Sequence, residues 1–182
     1  MMAALEASLR GQATLAGGNL AELIGRVNRL VYEASSVNRY ATFFYAQYDP
    51  ESLQLTYVNA GHNPPFISRK SGEGWQVMRL EVGGAVIGLL QNFPYQQGSF
   101  ALQPGDMLLL FTDGVSEAMN AADEEWGEER LIQAAQSGDG LGTAGMIARI
   151  MSAADAFAAG APQHDDMTLV ALRVLVRATE TH

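Results

Sequence analysis

No cysteine occurs among the 182 residues, which excludes disulfides, thiolate zinc sites and cysteine nucleophiles together. Basic residues are scarce: 11 Lys and Arg stand against 20 Asp and Glu, for a net charge of −9. A nucleic-acid surface needs clustered cations against phosphates, so that class is excluded too. Negative excess of this size is otherwise ordinary solubility. No apolar run approaches the ~20 residues of a membrane-spanning helix, and the N-terminus lacks the basic-then-apolar order of a signal peptide. The expected address is the cytoplasm, with no membrane partner. His62, His164 and His182 show no H-x-x-x-H spacing, and neither a G-x-S-x-G elbow nor a Walker-type phosphate loop is present.

What remains has the composition of one globular unit, with 48% hydrophobic and 17% charged residues and no internal repeat. Residues 1–12 read as an amphipathic helix with no cap before it, so the chain is expected to begin partway into a fold. Gly17 and Gly18 break that pattern. Asn19, with Glu22 three positions on, resembles a capping box opening a second helix, along which Leu20, Leu23, Ile24, Val27, Leu30 and Val31 recur at helical spacing. Two helices joined by so short a loop are expected to pack antiparallel, with one apolar face left for a sheet.

From Tyr40 the texture turns aromatic and β-branched. Strands are expected at 40–48, 53–58, 65–69 and 75–80, joined as an antiparallel meander by the turns Asp49-Pro50-Glu51-Ser52 and Lys70-Ser71-Gly72-Glu73-Gly74. Met107 to Phe111 is an unbroken apolar run closed by Thr112-Asp113-Gly114, as expected of a strand buried on both faces. Helical patterns at 128–136 and 143–157 would cover that sheet, and 167–176 reads as a last apolar strand.

Two acidic features fall at strand ends, where sites are commonly built. Asp113 follows the buried run and Gly114 lets the backbone turn there; Asp165-Asp166 stands just before the last strand. Side chains alternate across a strand, so one of Asp165 and Asp166 should face any given site. If Asp113 and one of this pair share a rim, two carboxylates about 4 Å apart repel by about 4 kcal/mol at an effective dielectric near 20. A hard cation such as Mg²⁺ or Mn²⁺ relieves that repulsion. The plain alternative is that each Asp merely caps a turn.

Four blocks carry a resemblance: Tyr57-Val58-Asn59-Ala60-Gly61-His62-Asn63-Pro64-Pro65; Gly83 to Leu89; Pro104-Gly105-Asp106 leading through Phe111-Thr112-Asp113-Gly114-Val115-Ser116-Glu117-Ala118; and Asp165-Asp166-Met167-Thr168-Leu169-Val170. In this order they resemble the bacterial SpoIIE/RsbU branch of the metal-dependent protein phosphatase 2C-like phosphatases. The resemblance implies an α+β fold, an antiparallel β-sandwich flanked by helix pairs, with residues 1–182 forming a single partial domain whose first strands are missing. It implies a site for two Mn²⁺ or Mg²⁺ ions, with Asp113 and Asp165 as ligands, Asp166 as a supporting or alternate ligand, and Gly114 shaping the turn. The Ala60-Gly61-His62 block takes no chemical role and is expected to form a tight turn.

The implied activity is hydrolysis of phosphoserine or phosphothreonine on a STAS-type anti-anti-sigma protein by metal-activated water. An upstream sensor or receiver domain often accompanies such a domain. The family's early Gly-Asp-x-x-Asp and Asp-Val-x-Gly-x-Gly blocks are absent, so at most half of the implied metal ligands are present. The alternative is therefore a non-catalytic protein-binding module of the same fold. An aspartyl-phosphate mechanism would need Asp-x-Asp, and position 111 is Phe.

Overall fold

The computed structural model describes residue 9, residues 18–34 and residues 40–175. In chain order the elements are α1 (Leu20–Ala34), β1 (Phe43–Asp49), β2 (Gln54–Ala60), β3 (Phe66–Ser71), β4 (Gly74–Arg79), β5 (Gly83–Gly84), β6 (Gly98–Ala101), β7 (Met107–Phe111), α2 (Asp113–Ser116), α3 (Gly127–Gln136), α4 (Thr143–Ala158) and β8 (Leu169–Arg173). This mixture of two four-stranded sheets with helices is the expected α+β class. The chain divides into two compact units, one of residues 1–64 and 80–102, the other of residues 65–79 and 103–182.

In the first unit, β1 pairs antiparallel with β2, whose other edge takes β6 antiparallel and the two-residue β5 in parallel. Helix α1 opens as its sequence suggests: the Glu22 N–H donates to the Asn19 side chain at 3.1 Å. The reciprocal half of the box is replaced, because Glu22 pairs with Arg26 one turn on. Leu20, Leu23, Ile24, Val27 and Val31 bury one face of α1 with Val58, Ala60, Ile87 and Tyr95. The helix expected over residues 1–12 lies outside the described residues save for Leu9, which packs on this core.

The second unit holds an antiparallel sheet in the order β4-β3-β7-β8. Strand β7 is buried as expected, with Leu109 and Phe111 at 0% and 1% exposure. Those two side chains join Phe66, Trp126, Leu131, Met146 and Ile150 in a core shared with α3 and α4. A buried ion pair ties β3 to the approach of β7: the Asp106 carboxylate, 1% exposed, accepts from Arg69 Nε at 2.8 Å and Nη2 at 2.7 Å.

Two expectations are corrected. The four strands between Tyr40 and Leu80 are not one meander, since β1 and β2 lie in one sheet and β3 and β4 in the other. The break falls at residues 61–65. Asn59 accepts the His62 N–H at 2.8 Å and donates to the His62 and Leu80 carbonyls, closing a turn at Gly61 (φ +71°). Pro64 and Pro65 have no N–H with which to continue a ladder. The Ala60-Gly61-His62 block thus forms the tight turn expected of it. The last strand is also shorter and less buried than its composition suggests: among the described residues β8 is a sheet edge, and Val170 is 50% exposed.

Candidate metal rim beside an acidic cavity

Strand β7 ends at Phe111, in register with Leu169 at the start of β8. Beyond that pair the two segments stay joined through Thr112. Its backbone N–H donates to the Thr168 carbonyl at 3.0 Å, its hydroxyl accepts the Thr168 N–H at 2.9 Å, and the same hydroxyl donates to the Asp166 carbonyl at 3.0 Å. One β-branched alcohol, held extended at φ −84° and ψ 160°, therefore stitches the segment carrying Asp113 to the segment carrying Asp165 and Asp166. Asp113 then opens the single-turn helix α2 rather than ending the strand itself.

Gly114 is needed for a steric reason. A Cβ at this position would stand 2.6 Å from the Asp166 carbonyl oxygen and 3.2 Å from that of Asp165. Its φ lies in the ordinary range, so it is close approach of the two segments, not a left-handed backbone, that calls for glycine here.

Asp113, Asp165 and Asp166 are all exposed. Asp113 Oδ1 accepts the Gly114 N–H at 3.0 Å, and Asp165 Oδ1 accepts the Asp166 N–H at 2.7 Å. The Asp113 and Asp165 carboxylates thus each use one oxygen on the next residue's backbone and keep further lone pairs for a ligand. The structure brings the three sequence-predicted residues onto two adjoining segments. Among the described residues, no three His, Cys, Asp or Glu side chains stand close enough together to hold a metal ion. The donors are hard oxygens, which suits Mg²⁺ or Mn²⁺, and they form an incomplete set.

Asp165 and Asp166 part company at this point. Asp165 lines a cavity of about 330 Å³ together with Gly114, Glu117, Met119, Asp155 and Met167, and Asp166 does not. Sequence reasoning missed this cavity, whose walls come from α2, the end of α4 and the loop before β8. It also left Thr112 without a role, although the spacing Thr-Asp-Gly was in view. A hydroxyl's partners lie more than fifty positions away in the chain and leave no local pattern.

Comparison with known proteins bears on the family of the whole chain. The family model described as Stage II sporulation protein E (SpoIIE) matches residues 1–175. Phosphoserine phosphatase RsbU of Bacillus subtilis is 37% identical over 97 residues, covering 53% of this chain and 28% of that protein. Protein IcfG of Synechocystis is 30% identical over 140 residues, covering 77% of this chain and 22% of that protein. The chain therefore spans less than a third of the length of either relative.

Among solved structures, the SiaA-PP2C domain of Pseudomonas aeruginosa superposes with a TM-score of 0.79 at 18% identity, covering 93% of this chain and 67% of that one. The phosphatase domain of the cell fate determinant SpoIIE from Bacillus subtilis (Mn presoaked) gives 0.63 at 20% identity, covering 97% and 74%. These two likenesses speak for the fold. Taken with the family match over nearly the whole chain, they allow a plain conclusion: this chain belongs to the SpoIIE family.

Proposed function

We propose that residues 1–182 belong to a single SpoIIE-type phosphatase domain. Its reaction would be hydrolysis of phosphoserine or phosphothreonine on a regulatory, STAS-type partner protein in the cytoplasm, with two Mn²⁺ or Mg²⁺ ions as cofactors. The observation that carries this reading is the Thr112 stitch, which joins the Asp113 segment to the Asp165-Asp166 segment in a chain of this family. The naming of the relative RsbU as a phosphoserine phosphatase supports the reaction class. No helix among the described residues is long and apolar enough to cross a membrane, in keeping with the proposed address.

In this reading Asp113 and Asp165 offer the carboxylate oxygens that hold a cation, and Asp166 is the alternate donor. Divalent cations bound there supply an acidified water and neutralise phosphate oxygens. The protein's own part is positional: Thr112 fixes the spacing of the two segments, and Gly114 lets them approach. The test is hydrolysis of a phosphoserine protein in Mn²⁺ by the wild type and by Asp113→Ala. Turnover abolished by the substitution supports the proposal.

A second reading, a non-catalytic protein-binding module of the same fold, draws on the incomplete donor set among the described residues. It predicts phosphoprotein binding without turnover in the same assay.

A further inference from the structure

The cavity beside the rim has an apolar floor and a charged mouth. Ala154 is buried and Met119, Ala158 and Met167 are partly buried in its lining, while Glu117, Asp155 and Asp165 bring three exposed carboxylates. No Lys or Arg among the described residues lines it, and His164 is the one basic group there. Among the described residues, no cation pairs with Glu117 or Asp155. No three such carboxylates among the described residues stand within metal-holding reach of one another.

A carboxylate-lined mouth over an apolar wall has a definite complement: a cation carried on an aliphatic stem. Lysine and arginine side chains have that form, burying their methylenes while the charged head stays near water and acceptors. A space of about 330 Å³ admits such a side chain. Gly114 and Asp165 line the cavity and also belong to the rim. A polypeptide with its phosphate at the rim therefore carries its neighbouring side chains past the mouth, each extended residue advancing by about 3.3–3.6 Å.

We propose that this cavity is a specificity pocket for a lysine or arginine side chain of the phosphorylated partner, within about three residues of the phosphorylated one, the range that this advance per residue sets. The inference rests on the phosphatase reading of the rim and adds the sequence preference of its substrate. Charge complementarity selects the occupant: a neutral apolar side chain would leave Glu117 and Asp155 without a partner, and an acidic one would be repelled.

The test uses the full-length protein and phosphoserine peptides in which Lys, Arg or norleucine is placed in turn at each of three positions on either side of the phosphoserine. Binding is read by fluorescence anisotropy, and kcat/KM in Mn²⁺ is read separately. At one position the basic peptides should bind about tenfold more tightly than the norleucine peptide, and the double variant Glu117→Gln, Asp155→Asn should reduce that preference to about twofold or less. Both substitutions are isosteric and fall on exposed side chains, and an unchanged thermal midpoint confirms that the fold is intact.

A preference in binding without turnover upholds the pocket while the phosphatase reading fails. Turnover with no preference for a basic residue overturns the pocket and leaves that reading standing. A preference that survives the double variant overturns it too. So does saturable spermidine binding in the absence of any peptide preference, which would assign the cavity to a free polyamine.

Discussion

Thr112 does with one hydroxyl what neither aspartate segment does alone. It accepts from Thr168 and donates to Asp166 at 2.9 and 3.0 Å, so its replacement by the isosteric valine removes two bonds and changes little volume. The expected cost is about 1–3 kcal/mol in urea unfolding, with a larger proportional loss of Mn²⁺-dependent hydrolysis, because the spacing of the rim is disturbed as well. At Gly114 two effects oppose each other. Alanine in a helix is favoured over glycine by about 1 kcal/mol. Its Cβ, however, would sit 2.6 Å from the backbone oxygen of Asp166, and backbone cannot swing aside as a side-chain tip can. The clash wins, so Gly114→Ala should lower stability and weaken Mn²⁺ binding in a calorimetric titration.

Tyr95 supplies the pH dependence. Its side chain is 8% exposed and its hydroxyl has no hydrogen-bond partner among the described residues. Burial pushes its pKa up to about 12 from 10.0. Because the folded-state value is the higher one, the neutral phenol's contribution is complete below pH 10. It is lost as pH rises from about 10 to about 12, where the unfolded chain has released the proton and the folded chain has not. Tyr95→Phe should therefore flatten the decline of stability across that alkaline window, measured by urea midpoints at several pH values. A decline as steep as that of the wild type would contradict the assignment.

At the scale of elements, β3 and β7 are held by packing and by a charge. Asp106, at 1% exposure, also accepts the Gln103 N–H at 2.8 Å, so the Pro104-Gly105-Asp106 block is a structural clamp at the entrance to β7. Removing the guanidinium leaves a buried carboxylate without its cation. Arg69→Met should cost about 3 kcal/mol or more, and combining it with Asp106→Asn should cost less than the sum of the two single changes. A double-mutant cycle by denaturant unfolding checks this, and strict additivity would mean that the pair is not coupled. In the other unit Asn28 plays a comparable part without charge. Fully buried on α1, it donates to the Leu90 and Gln91 carbonyls and accepts the Gly88 N–H, tying the helix to the loop after β5.

Across the whole chain, what could be read from the sequence was what depends on neighbours in the sequence. The start of α1, the buried run of β7, helices α3 and α4, and the glycine turn after Ala60 all carry local patterns and occur where expected. The division of four strands between two sheets was hidden, because it depends on which edge of β2 is already occupied by β5 and β6. Strand β6 itself escaped notice: its Gly98 is a poor strand former until the Tyr57 ring is placed over it, with the nearest ring atom 2.5 Å from where a Cβ would be. The site divides in the same way. Asp113, Asp165 and Asp166 were visible as acids at strand ends. The Thr112 stitch and the carboxylates around the cavity required the chain to be folded.

The central claim is that Asp113 and Asp165 serve one cation together. Mn²⁺ binding followed by electron paramagnetic resonance tests it directly, with the wild type, Asp113→Asn, Asp165→Asn and the double variant titrated side by side. Each single change should weaken binding by about tenfold or more, and the double variant should be scarcely worse than the weaker single one, because a shared site is lost only once. Wild-type affinity in either single variant, or losses that multiply as they would for two independent sites, would contradict the account.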